Sequence, residues 1–588
     1  MVRDAFEVTR RDDNHATYID GRGNSWTFTT DTYGYITSKT NPAPFPDTWQ
    51  WDRSLSEHGL VNQYIQPAGG GGDASFAFEL STAYEYDGLE NVTTIYHPDH
   101  SNAEPRTTAF VYDPNFSQMV SQTSRNDEVT TLQIDSRGAV RRFTEINREG
   151  PDRISTNSYS IAPPTISDVA GGLLLTTTIA AASPDEVTTR FDYYGPGNKV
   201  SLMKSTTLAQ GTVDQAIVRY DYVQRNLTSE IDELSRETNY VYDNLNRLTE
   251  VHQPELAATD TSSHSRPVIR YTYDAGGNLR FVEDPRSAAN ITEMQYDARN
   301  RQHKKLLPVP GGDPDTQMPA VVEYLYDNNS NVIQQILHTD GDHSTITSDD
   351  RVTDYLYDER NLVVAVQYPA SNQPATPVSG PDTSRPTIEY AYDAHGQLKS
   401  VRDANSVASG DVYLTTSSYD VLGQLVSVDY PAPGTGDHGP TYVHYFYDLN
   451  GNVTQMRTPG VDADFVDDPA TANFDESEAV TDYIYDDWGR LTRTTAPADQ
   501  HGHRQTTVYT YDLRNNLQTV IDTLGNLTGY QYDKRDRVEV AYSPSPGFGQ
   551  PDMATRYFYN AAGEMTELLV YSGTDSRLTE YQYDTLEH

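Results

Sequence analysis

The sequence predicts an all-β protein, a repetitive antiparallel β-hairpin ribbon coiled into a spiral shell or barrel-like solenoid. Three observations carry this expectation. Tyrosine is in large excess, with 43 residues against 15 Phe and 4 Trp in a chain of 588. A Tyr-x-Tyr-Asp motif recurs along the chain, with Gly or Asn three residues after its Asp in most copies. Short runs rich in Tyr, Thr and Val, which suit a pleated, half-buried surface, separate the motifs.

The stretch Tyr509–Asp533 shows the unit. It holds a Tyr-Asp turn at Asp512–Asn515, a strand at Leu517–Ile521, a second turn at Asp522–Asn526, and a return strand ending at Tyr530-Gln-Tyr532-Asp533. Asp512 and Asp533 are 21 residues apart. Repeats at such a period mark an array of one supersecondary unit.

The N-terminal third carries a blurred version. Asp20 and Asp31 are 11 residues apart, and Trp51-Asp52, Tyr86-Asp87, Tyr112-Asp113 and Ile134-Asp135 continue the series. Tyr159-Ser160 reads as a degenerate copy and Phe191-Asp192 as the next one. From Tyr240 onward the pattern sharpens, with the motif Asp (Asn in one copy) at 243, 274, 297, 327, 358, 393, 420, 448, 486, 512, 533, 560 and 584. We therefore divide the chain into degenerate repeats at 1–239, well-formed repeats at 240–585, and 586–588, where Leu586-Glu587-His588 reads as the start of an expression tag. On that reading the chain is a piece of something longer.

Most copies carry Tyr two residues before the motif Tyr, as in Tyr271-Thr-Tyr273 and Tyr445-Phe-Tyr447. Residues at i and i+2 of a strand share a face, so stacked copies should build a ladder of cross-strand aromatic pairs. Three residues after the Asp stand Gly277, Gly396, Gly423, Gly451, Gly489 and Gly563, or Asn246, Asn300, Asn361 and Asn515, with Ser330 and Asp536 in two more copies. Gly and Asn best tolerate positive φ. Asp first and Gly fourth is the signature of a type I turn closed by a left-handed residue, and the Asp side chain can accept the turn's own amides. The motif Asp is thus explained without catalysis.

Length variation is one-sided. The surplus residues fall at Pro254–Arg266, Pro308–Pro319, Pro369–Pro386, Pro431–Pro440, Pro459–Glu478, Pro497–Arg504 and Pro544–Pro551, all at the position of the Asp522 turn. Alternate turns of a meander lie on opposite edges, so one edge should be tight and the other should bear every variable loop. At about 4.8 Å per strand the ribbon would extend roughly 190 Å, and strand twist should make a ribbon of that length coil.

Composition narrows the function classes. A net charge of −42 leaves no basic stripe for nucleic acid or an anionic membrane. With no Cys there are no disulfides, no thiolate metal site and no Cys nucleophile, which fits an exported protein. No apolar run approaches 18 residues, and Met1-Val2-Arg3-Asp4 opens no signal peptide.

The motifs quoted above, Tyr-x-Tyr-Asp-x-x-Gly-x-Leu followed by Asp-x-x-Gly-Asn-x-Thr-x-Tyr-x-Tyr-Asp, closely resemble the YD-repeat or RHS-repeat family, strongly from Tyr240 and weakly before it. The family includes the shells of bacterial RHS polymorphic toxins, the cocoon components of Tc toxins, and teneurins. The resemblance implies a β-ribbon spiralling into a hollow shell that in toxins encloses a C-terminal effector. Toxin relatives close the shell with an autoproteolytic core segment; the chain stops inside a repeat at Tyr583-Asp584 without one, so self-cleavage is assigned to no residue here.

Other constellations read as structural. Asp448-Leu-Asn450-Gly-Asn452 matches the opening of a calcium loop but lacks the twelfth-position carboxylate, and it is the repeat turn itself. Asp462, Asp464, Asp467 and Asp468 could bind Ca²⁺ but read first as a solvated acidic loop. Asp340-Gly-Asp342-His343 and His501-Gly-His503 have metal-like density without a placed third ligand. We therefore expect no catalytic, cofactor or metal residues and no enzyme. The expected role is a non-catalytic shell or scaffold of a large exported or cell-surface protein, enclosing or displaying an effector or neighbouring shell segments. The alternative is an adhesion module holding a glycan or cell-surface receptor on its loop-bearing edge or aromatic face.

Overall fold

The structure is a computed structural model. It describes residues 7–12, 14–33, 35–40, 46–52, 60–66, 80–97, 106–148, 150–160, 172–195, 199, 201–254, 266–284, 290–308, 320–338, 346, 350–369, 385–404, 413–420, 422–431, 441–459, 478–499, 501–544, 553–572 and 575–583. These residues form 43 strands, and among them no helix is long and apolar enough to cross a membrane. The all-β expectation holds. Successive strands pair antiparallel, as in Val268–Tyr273 with Leu279–Glu283 and Tyr509 opposite Val520 in the opening hairpin of the repeat unit.

Each Tyr-Asp hairpin has the same irregularity. The register shifts by one residue at the motif Tyr, at Thr272/Tyr273, Leu356/Tyr357, Phe446/Tyr447 and Thr510/Tyr511 alike. A bulge there is the partner of the left-handed turn residue, because a type I turn closed by such a residue adds one residue to one strand. All twelve of Asn246, Gly277, Asn300, Ser330, Asn361, Gly396, Gly423, Gly451, Gly489, Asn515, Asp536 and Gly563 have positive φ. The amide of the motif Asp donates to the carbonyl four residues on, and the left-handed residue donates back to the Asp carbonyl, as at Asp448/Asn452 and Gly451/Asp448.

Two compact units are present. The first comprises Met1–Tyr112, Thr123–Asp127 and Thr292–Thr481. Its fully buried apolar residues form a stripe across neighbouring strands, with Val321, Ile336, Val352 and Val366 on strands that pair in turn. Two stretches of ribbon far apart in sequence also meet within it. The Asp20–Asn24 turn lies against the Tyr-Asp turns at Asp327 and Asp358. Arg22 Nη1 donates to the Asp358 carbonyl at 2.7 Å, Arg22 Nη2 to the Tyr357 carbonyl at 3.0 Å, and Asn24 Nδ2 to the Glu359 carbonyl at 3.1 Å. Asn329 Nδ2 donates to Asp20 Oδ2 at 2.9 Å. Gly21 is required here, because a Cβ would stand 2.7 Å from the Asn328 carbonyl oxygen.

The second unit comprises Asp113–Gln122, Glu128–Ile291 and Asp482–His588, and it repeats the same juncture several times. Arg148 binds Asp487 through its amide and its guanidinium, each at 2.8 Å. Asp185 Oδ2 accepts the Leu513 amide at 3.2 Å, and Asp214 Oδ2 accepts the Lys534 amide at 2.9 Å. Glu233 pairs with Arg535 at 3.3 Å and Arg236 with Glu564 at 3.5 Å. Across the two units these partners are 302 to 339 residues apart.

The chemistry of the juncture follows from which edges meet. Arg22, Arg148, Asp185, Asp214, Glu233 and Arg236 all sit on the edge opposite the Tyr-Asp turns, which we call the loop edge. Their partners all sit in Tyr-Asp turns, on the tight edge. Within each unit, the loop edge of an early stretch of ribbon therefore seats on the tight edge of a later one.

Candidate functional site

The feature most repeated in the sequence is the Tyr-Asp turn, so it is the first candidate for chemistry. Its oxygens are consumed locally. Asp448 Oδ1 accepts the amides of Asn450 and Asn452 at 2.9 Å each, and Oδ2 accepts Asn452 Nδ2 at 2.9 Å. Asp327 and Asp512 do the same with Asn331 and Asn516. Where Arg replaces Asn, its Nε takes the outer oxygen: Arg247 at 2.8 Å from Asp243, Arg490 at 2.7 Å from Asp486, Arg537 at 2.6 Å from Asp533. Asn560 reverses the polarity, donating its Nδ2 to the Glu564 carboxylate.

At Asp243, Asp274 and Asp522 such bonds favour the ionised carboxylate. The Asn278 side chain, then its amide, hold the Asp274 carboxyl below its usual range, and Asn526 does the same for Asp522. The amide of Arg247 lowers Asp243, followed by its side chain. A carboxylate held ionised and saturated by its own turn is neither a general acid nor an open metal ligand. The calcium-loop match at Asp448 is thus this turn, with three donors of the turn already on its carboxylate.

The motif Tyr is used as fully. Its hydroxyl donates to the carbonyl of the first residue of the preceding post-turn strand: Tyr273 to Leu248 at 2.8 Å, Tyr357 to Val332 at 2.9 Å, Tyr511 to Leu491 at 2.9 Å, Tyr559 to Val538 at 2.9 Å. Tyr159 does so to Val140 at 3.1 Å, which makes it the degenerate copy the spacing suggested. The Arg four residues after the motif Asp lies over the next Tyr ring, as Arg247 over Tyr273 and Arg537 over Tyr559 at 4.6 Å. Burial is the first cause raising the phenols of Tyr273, Tyr357, Tyr511 and Tyr559, and Tyr240, beside Glu230, is pushed up to about 12.

The expected aromatic ladder is corrected by the register. Opposite most of these Tyr the next strand places an aliphatic side chain: Val282 and Leu279 face Tyr271 and Tyr273, and Val401 and Leu398 face Tyr390 and Tyr392, whereas Tyr324 faces Gln335 and Tyr483 faces Thr494. The rings line one face as foreseen, but each Tyr strand pairs with a post-turn strand, and post-turn strands such as Leu279–Glu283 and Leu398–Arg402 carry no Tyr. Phe191-Asp192 is also shifted. The bulge falls at Asp192/Tyr193, so Asp192 is inside a strand opposite Ser205 and Tyr193 occupies the motif position. A further copy at Tyr220-Asp-Tyr222 was missed because Val223 stands where the Asp should be; its bulge is at Asp221/Tyr222, and the strands close on a shorter turn.

The loop edge carries a second device that the sequence reading passed over. Three inserts end in an arginine eight residues before a motif Asp. Arg266 Nε donates to the Gln253 carbonyl at 2.9 Å, and its guanidinium also reaches Asn239 and Glu237. Arg385 Nε donates to the Tyr368 carbonyl at 3.0 Å and Nη2 to the Gln367 carbonyl at 2.9 Å, and Nη1 pairs with Asp354. Arg504 takes the Ala496 and Thr495 carbonyls at 2.9 and 3.1 Å and Asp482 at 2.6 Å. Each arginine thus clamps the foot of its insert to the two strands before it. The recurrent Arg at a fixed distance before the motif was the available signal.

The inserts themselves lie largely outside the described residues, among them Asp340, Asp342, His343, Asp462, Asp464, Asp467 and Asp468, as do Asp584 and the suspected tag. The Pro497–Arg504 insert is described in all but one residue and contains another Asp turn, in which Asp499 Oδ1 accepts the His501 and His503 amides at 2.8 and 2.9 Å. The two imidazoles stack with centroids 6.2 Å apart. Among the described residues no three His, Cys, Asp or Glu converge as a metal site. A shallow cavity of about 310 Å³ in the first unit is lined by Leu356, Ala365 and Tyr390, and its charged groups, Glu389 and Arg402, neutralise each other at 3.0 Å.

Residues 392–435 match the family model described as RHS Repeat. No curated protein matches the chain. Among solved structures, the chain is similar to TcdB2-TccC3 without hypervariable C-terminal region, at 13% identity and a TM-score of 0.48, covering 96% of this chain and 29% of that one. It is also similar to the Photorhabdus luminescens Tc holotoxin pore, at 13% identity and a TM-score of 0.38, covering 96% and 33%. The chain thus spans about a third of the length of these structures.

Proposed function

With residues 392–435 an RHS repeat, we propose that the chain is a structural scaffold, a wall of RHS repeats in a larger exported or cell-surface protein. In this reading it works by enclosing or displaying an effector, or by abutting neighbouring shell segments, and not by catalysis. One observation carries it: the residues the sequence repeats most faithfully, the motif Tyr and Asp, are spent on holding turn to strand and strand to strand. Conserving chemistry across so many copies serves construction, whereas a catalytic site needs one copy set apart from the rest. Small-angle scattering or electron microscopy of the purified chain tests this. A curved wall or hollow particle is expected, and a compact solid globule would overturn it.

A second reading places glycan or receptor recognition on the loop edge. Tyr368, Tyr430 and Tyr542 are exposed there beside Pro369, Pro431 and Pro544, and exposed phenol rings stack on sugar faces. A glycan array that returns no binder above background removes this reading. A hit that survives replacement of all three Tyr by Ala moves recognition elsewhere.

A further inference from the structure

The second unit is an open stack. Its early ribbon, from Arg148 to Arg236, presents its loop edge to the tight edge of its late ribbon, from Asp487 to Glu564. That order leaves two edges at opposite ends of the stack: the tight edge of the early ribbon, at Asp243–Arg247 and Asp274–Asn278, and the loop edge of the late ribbon, at Asp522–Asn526. These are the two kinds of edge that meet in the juncture the unit already makes with itself. We propose that they bind each other between molecules, so that a second copy of this chain seats its Asp522 turn on the Asp243 and Asp274 turns.

Side-chain exposure at equivalent positions supports the pairing. Leu234 and Leu524 occupy the same place in two loop-edge Asp turns. Leu234, whose turn is seated, is 36% exposed, whereas Leu524 is 86% exposed. On the tight edge, Arg514 in a seated turn is half-buried, against 72% exposure for Leu245 at the equivalent position. Seating therefore lowers exposure at this position on both edges, and here both are left bare with apolar tips. Leu527, beside the Asp522 turn, adds to the exposed apolar surface. The backbone geometry needed on the receiving side is intact. Asn244 and Ala275 stand where Leu513 and Lys534 offer their amides to Asp185 and Asp214, in turns closed by the same hydrogen bonds.

Because the two edges differ, the contact is heterologous and propagates head to tail. The chain's charge of −42 opposes it through long-range repulsion, so the experiment belongs at moderate salt, where that repulsion is screened. Sedimentation velocity over a wide concentration range should show the wild-type mass rising in steps beyond the monomer. Leu245→Glu blocks the receiving edge and Leu524→Glu the inserting edge, and each variant alone should remain monomeric. Mixing the two restores one intact pair of edges and should give a dimer that grows no further. Both side chains are exposed, so unchanged melting and circular dichroism will show that the fold survives. A wild type that is monomeric throughout would overturn the proposal and assign these edges to another segment of the parent or to no partner. So would self-association untouched by either variant, or a mixture that fails to dimerise.

Discussion

The Asp448 turn allows the motif's energetics to be measured against a reversal the chain itself contains. Asp448→Ala removes three hydrogen bonds to a carboxylate, two from backbone amides and one from Asn452 Nδ2. Bonds to charged groups are worth about 1.5–3 kcal/mol each, but the freed amides of this half-buried turn regain water, so the net loss should be about 2–3 kcal/mol. Asp448→Asn keeps the inner acceptor but turns its amide toward Asn452 Nδ2, for a loss of about 1–1.5 kcal/mol. Asn452→Glu alone sets two carboxylates together and should cost about 1 kcal/mol. The double variant recreates the Asn560–Glu564 arrangement, in which the outer bond runs the other way. It should recover most of both losses, a coupling of about 1–2 kcal/mol. Hydrogen exchange at the Gly451 and Asn452 amides is the suitable readout, because a repeat array opens locally and a single global unfolding energy is not defined for it. Additive losses in the double variant, or an Asp448→Ala effect under about 0.5 kcal/mol, would refute the view that this carboxylate is spent on its turn. Protection at these amides that rises on adding Ca²⁺ would restore the calcium-loop reading.

Further outcomes follow from the same contacts. Gly21→Ala drives a Cβ into the Asn328 carbonyl and should cost about 1–3 kcal/mol, seen as faster exchange in both turns it touches. Tyr273→Phe keeps the ring and loses the bond to the Leu248 carbonyl, a cost of about 0.5–1.5 kcal/mol by the same measurement. Arg385→Ala strands the Tyr368 and Gln367 carbonyls and the Asp354 carboxylate; a loss of about 3–5 kcal/mol and proteolysis at the foot of the 370–384 insert are expected. Asp274 and Asp522, and Asp487 through Arg148, are held below the ordinary value of 3.8. Their contribution is complete above that value and is lost as pH falls through the folded ones, so thermal stability should drop in strong acid. Tyr240 holds its proton to about 12 against 10.0 unperturbed, so stability should hold to pH 10 and decline towards 12. Melting temperatures across both ranges check the two signs.

Much of the local structure could be read from the residues. Asp first and Gly or Asn fourth determine a turn through φ preferences and a side chain within reach of its own amides; all nine such motif turns form, as do the three with Ser330 or Asp536 fourth or Asn560 first. The confinement of inserts to one edge was legible for the repeats from Tyr240 onward, because a meander alternates its turns; before them the Tyr-Asp edge also carries long connections, from Tyr159 to Leu174 and from Tyr193 to Met203. Two kinds of information were not legible. Each Tyr strand's hairpin partner is the post-turn strand, which in copies such as Leu279–Glu283, Leu398–Arg402 and Leu517–Ile521 carries Leu and Val and no Tyr, so the rings there do not face each other across the hairpin. Register depends on a bulge that only the closed turn creates, so Asp192 was mistaken for a motif Asp when Tyr193 takes the bulge. Contacts between residues 302 to 339 apart depend on the summed twist of many strands, and no local pattern encodes that sum. The inserts' arginine feet lay between these cases: visible as a spacing, but meaningful only once the strand two places back was known to lie beneath them.

The junctures within each unit also have a mechanical consequence. A meander pulled from its ends loads one hairpin at a time, with its hydrogen bonds strained in sequence like a zip, and such a ribbon yields at low force. Arg148–Asp487, Asp214–Lys534 and Arg22–Asp358 tie points remote along the chain. Tension must break these ties before it can reach the hairpins between them. A chain stretched in an optical trap should therefore resist until a tie gives way and then release a long slack segment, before the small even steps of hairpins peeling singly. The wall would thus be stiff against pulling at small extension and would yield abruptly beyond it.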